Sequence, residues 1–230
     1  MRFGRGIFIT FEGLDGCGKT TQLARLAEAL SARSLDVVAT REPGGSGIGE
    51  RIRAILLDSR TAGLSSYAEL ALMFADRAQH VEEVIQPALK MGKIVLCDRY
   101  TDSTEAYQGH GRRLGSEVVL NLHRELCRNL WPELTLLLET DTDSAVNRAR
   151  NRNKTNSSAE GRFEAEDAAF FRRVHRGFET IARRERKRVV RIAPGTIQGV
   201  EVEVLKIVDK RFPQLGSRKT KLPAAVGSRA

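Results

Sequence analysis

Cysteine is scarce in this chain: Cys17, Cys97 and Cys127 are all that 230 residues contain. The number is odd and no two share a metal-type or redox-type spacing, which excludes a disulfide framework or a thiolate metal site as the organising device. Cys97 and Cys127 read as packing residues. Cys17 lies in a glycine-rich stretch where oxidation or alkylation could reach it, without a chemical role of its own. Long hydrophobic runs are missing too. Runs such as Leu134 to Leu138, with one threonine inside, are far too short to cross a bilayer, and Met1 to Gly6 leads into no cleavable signal. A soluble, cytoplasmic protein with no membrane partner is therefore expected. Proline is limited to 6 residues against a hydrophobic fraction of 41%, so a folded core is expected rather than disorder.

Acids are outnumbered, leaving a net charge of +9 and a pI near 9.9. That excess admits a nucleic-acid partner, or anionic small substrates plus a basic tail. Aromatic residues are only 6% and are not interleaved with the cations, so the clusters Arg148 to Lys154 and Arg183 to Arg191 read as solvated faces and no nucleic-acid partner is expected.

What the chain does have is Gly13-Leu14-Asp15-Gly16-Cys17-Gly18-Lys19-Thr20, the spacing G-x-x-x-x-G-K-[ST], after the apolar run Ile7 to Phe11 and before a helical pattern. Gly13, Gly16 and Gly18 let consecutive backbone N–H groups converge on phosphate oxygens. Lys19 adds a mobile positive charge, Thr20 offers a hydroxyl to Mg²⁺, and the helix starting there points its positive end at the anion.

Along the chain, Ile7–Phe11 reads as a strand buried on both faces, and Val37–Thr40, Ile94–Cys97, Leu134–Leu138 and Val189–Ile192 read as four further strands. Amphipathic helical patterns separate them, so a doubly wound, five-stranded parallel sheet flanked by helices is expected. Ser66-x-x-Glu69 has the form of a capping box opening a long helix toward Leu89. On that helix Leu70, Phe74, Arg77, Val81 and Ile85 share a stripe. Phe74 reads equally as core or as a flat surface for a planar ligand, with Arg77 beside it. Asp98 and Arg99 stand at a strand's carboxyl end, where such sheets bind ligands: Asp98 as a partner for Mg²⁺ or its waters, Arg99 as a phosphate clamp, or the two paired with each other. Thr101 to Gly115 reads as a loop or short helix over the site. The segment at about 148–162, cationic and polar, has the composition of a lid. A single domain over 1–215 is expected, with a basic tail at 216–230.

The phosphate loop alone leaves kinase, GTPase, motor and helicase open. The GTPase signature Asn-Lys-x-Asp is absent, and the chain is short for a remodelling ATPase. Arg53, Arg77, Arg99, Arg148, Arg150 and Arg152 could converge on two polyphosphates, which suits transfer from a triphosphate to a monophosphate. Rival readings are a kinase of another monophosphate, such as dUMP, dCMP or UMP, and a P-loop nucleotide- or nucleic-acid-binding protein without phosphoryl transfer.

Glu12 to Gln22, Thr40 to Gly45, Leu72 to Arg77, Asp98-Arg99-Tyr100 and Ala106 to Gly109 resemble, in order and spacing, the successive motifs of the thymidylate kinase family; the resemblance covers about Ile7 to Phe212. It implies a nucleoside-monophosphate-kinase fold, transfer of the γ-phosphoryl of ATP to dTMP, Mg²⁺ as cofactor and a homodimer. Residue by residue it implies that Gly13, Leu14, Asp15, Gly16, Cys17, Gly18, Lys19, Thr20 and Thr21 take ATP, with Thr20 and Asp98 holding the metal. Phe74 would stack on thymine and Arg77 donate to its O4. Arg53 and Arg99 would hold the acceptor phosphate, Asp15 would face the 3′-hydroxyl, and Tyr107 would press on the sugar with Ser103 and Gln108 nearby. With Gly16 after Asp15, the chain is similar to members that supply catalytic arginines from the lid. Arg148, Arg150 and Arg152 would then join Lys19 and Arg99 in the chemistry.

Overall fold

The computed structural model describes residues 6–60, 63–140, 162–163 and 165–216. Its centre is a parallel sheet of β1 (Ile7–Glu12), β2 (Val37–Arg41), β3 (Ile94–Asp98), β4 (Leu134–Leu138) and β5 (Val189–Ile192), in the order β2-β3-β1-β4-β5. The five strands lie where the apolar runs place them. Although those runs are almost continuously apolar, alternate residues serve different layers. Ile9, Phe11, Leu96 and Leu136 pack on one face with α1 (Lys19–Ala32), while Phe8, Val95 and Cys97 pack on the other with α3 (Ser66–His80). At the centre, Thr10 and Thr135 share a hydrogen bond of 2.8 Å between β1 and β4, which satisfies both buried hydroxyls.

Between β2 and α3 runs α2 (Gly47–Leu57). After α3 the helix continues through one wider, π-type turn (Val81–Ile85) into α4 (Gln86–Lys90), so the expected run toward Leu89 is present. Past β3 come α5 (Thr101–Thr104), a second π-type stretch (Glu105–Gly111) and α6 (Ser116–Leu126), then α7 (Ala168–Arg184) and α8 (Ile197–Arg211). The 101–115 segment is thus mostly helical rather than loop. The last helix, α8, packs with α1 over one face. A second apolar cluster, with Phe163, Phe170, Phe171, Val174 and Phe178 around Tyr107, fixes α7 against the 105–111 stretch.

One local reading is corrected. The cap of α3 is Ser65, whose hydroxyl accepts the Ala68 N–H, and Ser66 is the first helical residue. Glu69 is no capping residue: it is fully buried, bound to Gln108, Arg112 and Arg162. Two guanidinium groups hold a carboxylate far more firmly than a frayed helix end does.

Among the described residues no helix is long and apolar enough to cross a membrane. The residues expected to form the lid arginines, Arg148, Arg150 and Arg152, and the basic tail from Ser217 onward lie outside the described residues.

Candidate active site

β1 ends and α1 begins around the phosphate loop. Gly13 has φ +136°, and a Cβ there would lie 2.5 Å from the Leu138 carbonyl oxygen, so the turn tolerates only glycine. Gly18 caps α1 with φ +101° and without a side-chain acceptor, leaving the first-turn N–H groups to an incoming anion. Lys19 is almost fully buried, its Nζ donating to the carbonyls of Gly13 (3.1 Å) and Leu14 (2.9 Å). Those two acceptors are weak enough for a phosphate oxygen to replace.

A cavity of about 950 Å³ opens beyond the carboxyl ends of β1, β2 and β3. That is room for two nucleotides side by side. Of the residues expected to bind, Asp15, Gly16, Gly18, Lys19, Thr20, Thr21, Arg53, Arg77, Asp98, Arg99, Ser103, Tyr107 and Gln108 line it. Leu14 packs into the α7 cluster and Cys17 against the sheet core, so both contribute backbone only. Cys97 and Cys127 are buried, as packing residues should be.

Phe74 is the correction. It is buried in the cluster with Phe8, Tyr100 and Val95 and does not line the cavity; Met73 does. One residue is a 100° rotation on a helix. Met73 and Arg77, spaced i and i+4, line the cavity, with Glu69 one turn earlier on the same stripe but buried and outside the lining, while Leu70 and Phe74 face the sheet. Phe74 still supports Arg77, whose guanidinium carbon sits 5.0 Å from its ring centroid and 5.1 Å from that of Tyr100.

Arg77 itself is fully buried. Its Nε donates to Glu42 Oε2 at 2.6 Å and its Nη2 to Thr104 Oγ1 at 2.8 Å, while Nη1 has no partner among the described residues. Glu42 Oε1 is bound by His80 Nδ1 at 2.9 Å, and His80 Nε2 meets Thr40 Oγ1 at 2.7 Å. Burial alone would raise the Glu42 carboxyl, but Arg77 and His80 outweigh it and hold it below the usual carboxylate range. Glu42, His80 and Cys97 lie close enough to suggest a metal site. Both imidazole nitrogens and both carboxylate oxygens are already bonded, however, and the adjacent guanidinium repels a cation. The cluster holds Arg77 in place instead.

Asp98 and Arg99 do not pair with each other. Asp98 accepts the Thr20 hydroxyl, and these two hard oxygen donors at the cavity wall suit Mg²⁺. Arg99, at φ +71°, turns back over the phosphate loop. Its Nη1 donates to Gly13 O (3.1 Å) and Ser103 Oγ (2.8 Å), and its Nη2 to Asp15 Oδ1 (2.6 Å), while Tyr107 donates its hydroxyl to Asp15 Oδ2 at 2.9 Å. Burial opposes the charge on Asp15, yet Arg99, Lys19 and Tyr107 together drive its carboxyl well below the usual range. Beneath them sits Glu12, which motif reading left without a role. It accepts the Tyr100 N–H at 2.8 Å and the Ser103 hydroxyl, and so orients the hydroxyl that receives Arg99.

Asp76 supports the Pro43–Gly45 turn that walls the cavity, accepting the Gly44 N–H at 2.9 Å. Burial first, then Glu42, pushes its carboxyl up from 3.8 to about 7. A carboxyl that holds its proton more tightly when folded costs stability as pH rises, here between about 4 and 7. Unfolding free energy should fall by up to about 4 kcal/mol across that window. Burial pushes the Glu12 carboxyl up as well, from 4.5 to about 8, and adds to the fall, so Asp76→Asn should remove the Asp76 share and leave that of Glu12, checked by urea titrations at successive pH values.

Fold and phosphate loop together define a P-loop protein of nucleoside-monophosphate-kinase architecture, with the cavity at the carboxyl ends of its strands. The family model for thymidylate kinase matches residues 11–204. A thymidylate kinase of Desulfovibrio desulfuricans is 52% identical over 184 residues, covering 79% of this chain and 85% of that protein. One of Pelobacter propionicus is 48% identical, covering 90% and 96%. The crystal structure of thymidylate kinase from Ehrlichia chaffeensis superposes with a TM-score of 0.72 at 35% identity, over 89% of this chain and 99% of that one. The chain belongs to the thymidylate kinase family.

Proposed function

We propose that this chain transfers the γ-phosphoryl of ATP to dTMP, giving dTDP and ADP, with the residues of the 950 Å³ cavity in the following roles. The observation that carries the thymine reading is a pair of buried, unpartnered atoms on residues lining that cavity: the donor Arg77 Nη1 and the acceptor Gln108 Oε1. Thymine offers O4 as acceptor and N3–H as donor, which fits both. Cytosine offers the opposite pattern and would leave both protein atoms unsatisfied. Met73, rather than Phe74, supplies the apolar contact to the base, and Tyr107 the wall beside the sugar.

The acceptor phosphate is already an anionic nucleophile, so no general base is assigned. Positioning and charge neutralisation carry the rate. Arg99 and Arg53 hold the acceptor phosphate, and the loop amides with Lys19 hold the donor phosphates. Mg²⁺, held through Thr20 and Asp98, would supply neutralisation of the phosphate oxygens. Arg148, Arg150 and Arg152 would approach the transferring group from a lid at about 148–162 that would exclude water. A homodimer in the cytoplasm completes the proposal; exposed Ile48 and Ile55 on α2 and Tyr67 on α3 support an apolar contact between copies.

A coupled ADP-release assay with Mg-ATP and each of dTMP, dUMP, dCMP, UMP and ribothymidine monophosphate tests it. The expected order is dTMP fastest, dUMP slower, and dCMP lower in kcat/KM by roughly 10³ or more. Best turnover with a cytosine or ribose acceptor would overturn the base and sugar assignments. No turnover with any acceptor would overturn the phosphoryl transfer.

A further inference from the structure

The Gln108 side chain is an amide, so its oxygen and nitrogen could exchange places by a half-turn. In one orientation it offers a base an acceptor; in the other, a donor. The cavity itself does not decide between them. The decision is made on the far side of the amide, where Gln108 Nε2 donates to Glu69 Oε1 at 2.7 Å. Glu69 is fully buried and bound on both oxygens by cations: Arg112 Nε and Nη2 at 3.2 and 3.1 Å, and Arg162 Nη1 at 2.7 Å. A carboxylate so held has only lone pairs to give. Turning the amide over would set its oxygen against carboxylate oxygen, in a place with no water to relieve it.

We infer that Glu69 is a positioning residue for acceptor selection: it locks the Gln108 amide with its carbonyl toward the acceptor base, so the enzyme takes pyrimidines that carry an N3–H and refuses those that carry an N3 lone pair. The inference rests on the assignment of the cavity to dTMP and adds the device that sets its selectivity. Its anchors reinforce it. Arg162 Nε also donates to the Leu56 carbonyl at 2.6 Å, and Arg112 pairs with Glu166 at 2.6 Å, so the carboxylate is tied to α2, to α3 and to the chain entering α7 at once. Gln108 is thereby fixed by three elements rather than by its own rotamer.

Glu69→Gln tests the lock, because a glutamine can donate as well as accept and lets the Gln108 amide rest either way. The kcat/KM for dTMP should fall about ten- to a hundredfold while that for dCMP is unchanged or rises, so the ratio of the two drops at least about tenfold. The KM for ATP should stay within about twofold. Because Glu69→Gln leaves Arg162 without its countercharge and can lower the folded fraction, Glu69→Gln/Arg162→Gln is measured beside it, with circular dichroism melts on both. The same collapse of the dTMP-to-dCMP ratio is expected in the double variant. A folded variant whose two kcat/KM values fall in proportion, keeping the wild-type ratio, would overturn the inference and leave Glu69 a structural ion. Wild-type protein that does not phosphorylate dTMP would instead overturn the cavity assignment itself, so the two failures are distinguishable.

Discussion

Arg99→Ala is expected to lower kcat/KM for dTMP by about 10³-fold or more, the scale on which arginines act at a transferring phosphoryl group. The size follows from how the side chain is held. Arg99 is fixed by Gly13 O, Ser103 and Asp15, so its position is prepaid before any ligand arrives. It also lies against the phosphate loop at the cavity wall, where the proposed site would bring the charges of both substrates together. The fold should survive, because the Arg99–Asp15 pair sits at the cavity, 16% and 23% exposed, where water can rehydrate the carboxylate left behind. Arg99→Lys should recover less than about tenfold of the loss, since one ammonium cannot span the three partners of the guanidinium fork. Coupled ADP release with a parallel thermal melt separates the two effects. Arg99→Ala with near-normal turnover, or with a collapsed melting temperature, would contradict this assignment.

How much of this was readable beforehand depended on the range of the interaction. The five strands were legible because each is a short apolar run, buried on both faces in the central β1, β3 and β4 and only partly in the edge strands β2 and β5. The phosphate loop was legible because its geometry needs glycine at fixed places. Long-range pairings were not. Asp98 and Arg99, adjacent in sequence and of opposite charge, turn to different partners, Thr20 and Asp15, from the β1–α1 region. Adjacent residues at a strand end point to opposite sides. The helical stripe through Leu70, Phe74 and Arg77 was read correctly as apolar, but the side that meets the cavity is set by the packing of α3 on the sheet. A charged pair interrupting helix α3 at i and i+8, with methionine midway, was the available signal for Glu69, Met73 and Arg77. Ser66-x-x-Glu69 satisfied a local template, and the template lost to two arginines distant in sequence.

Arg77→Ala should unfold or nearly unfold the protein, and a second substitution should restore the fold without restoring function. Removing the guanidinium leaves Glu42 buried, with both oxygens in a site that holds them ionised through Arg77 and His80. Stripping one partner from a buried ion pair costs about 3–5 kcal/mol, a large part of the 5–15 kcal/mol that keeps a typical domain folded. Glu42→Gln/Arg77→Met removes the stranded charge and fills the volume beside Phe74 and Tyr100, so most of the lost stability should return. Recognition should not. In the proposed site the unpartnered Arg77 Nη1 would donate to the base oxygen, and a hydrogen bond from a charged group is worth about 1.5–3 kcal/mol. The double variant should therefore melt within a few degrees of wild type yet turn over dTMP about 10- to 150-fold less efficiently, most of it in KM. Urea titrations of both single variants and the double give the coupling energy between Glu42 and Arg77, and the kinetics of the double alone give the worth of Arg77 to the substrate. A double variant that is stable and binds dTMP normally would remove Arg77 from the acceptor site and leave it a structural ion.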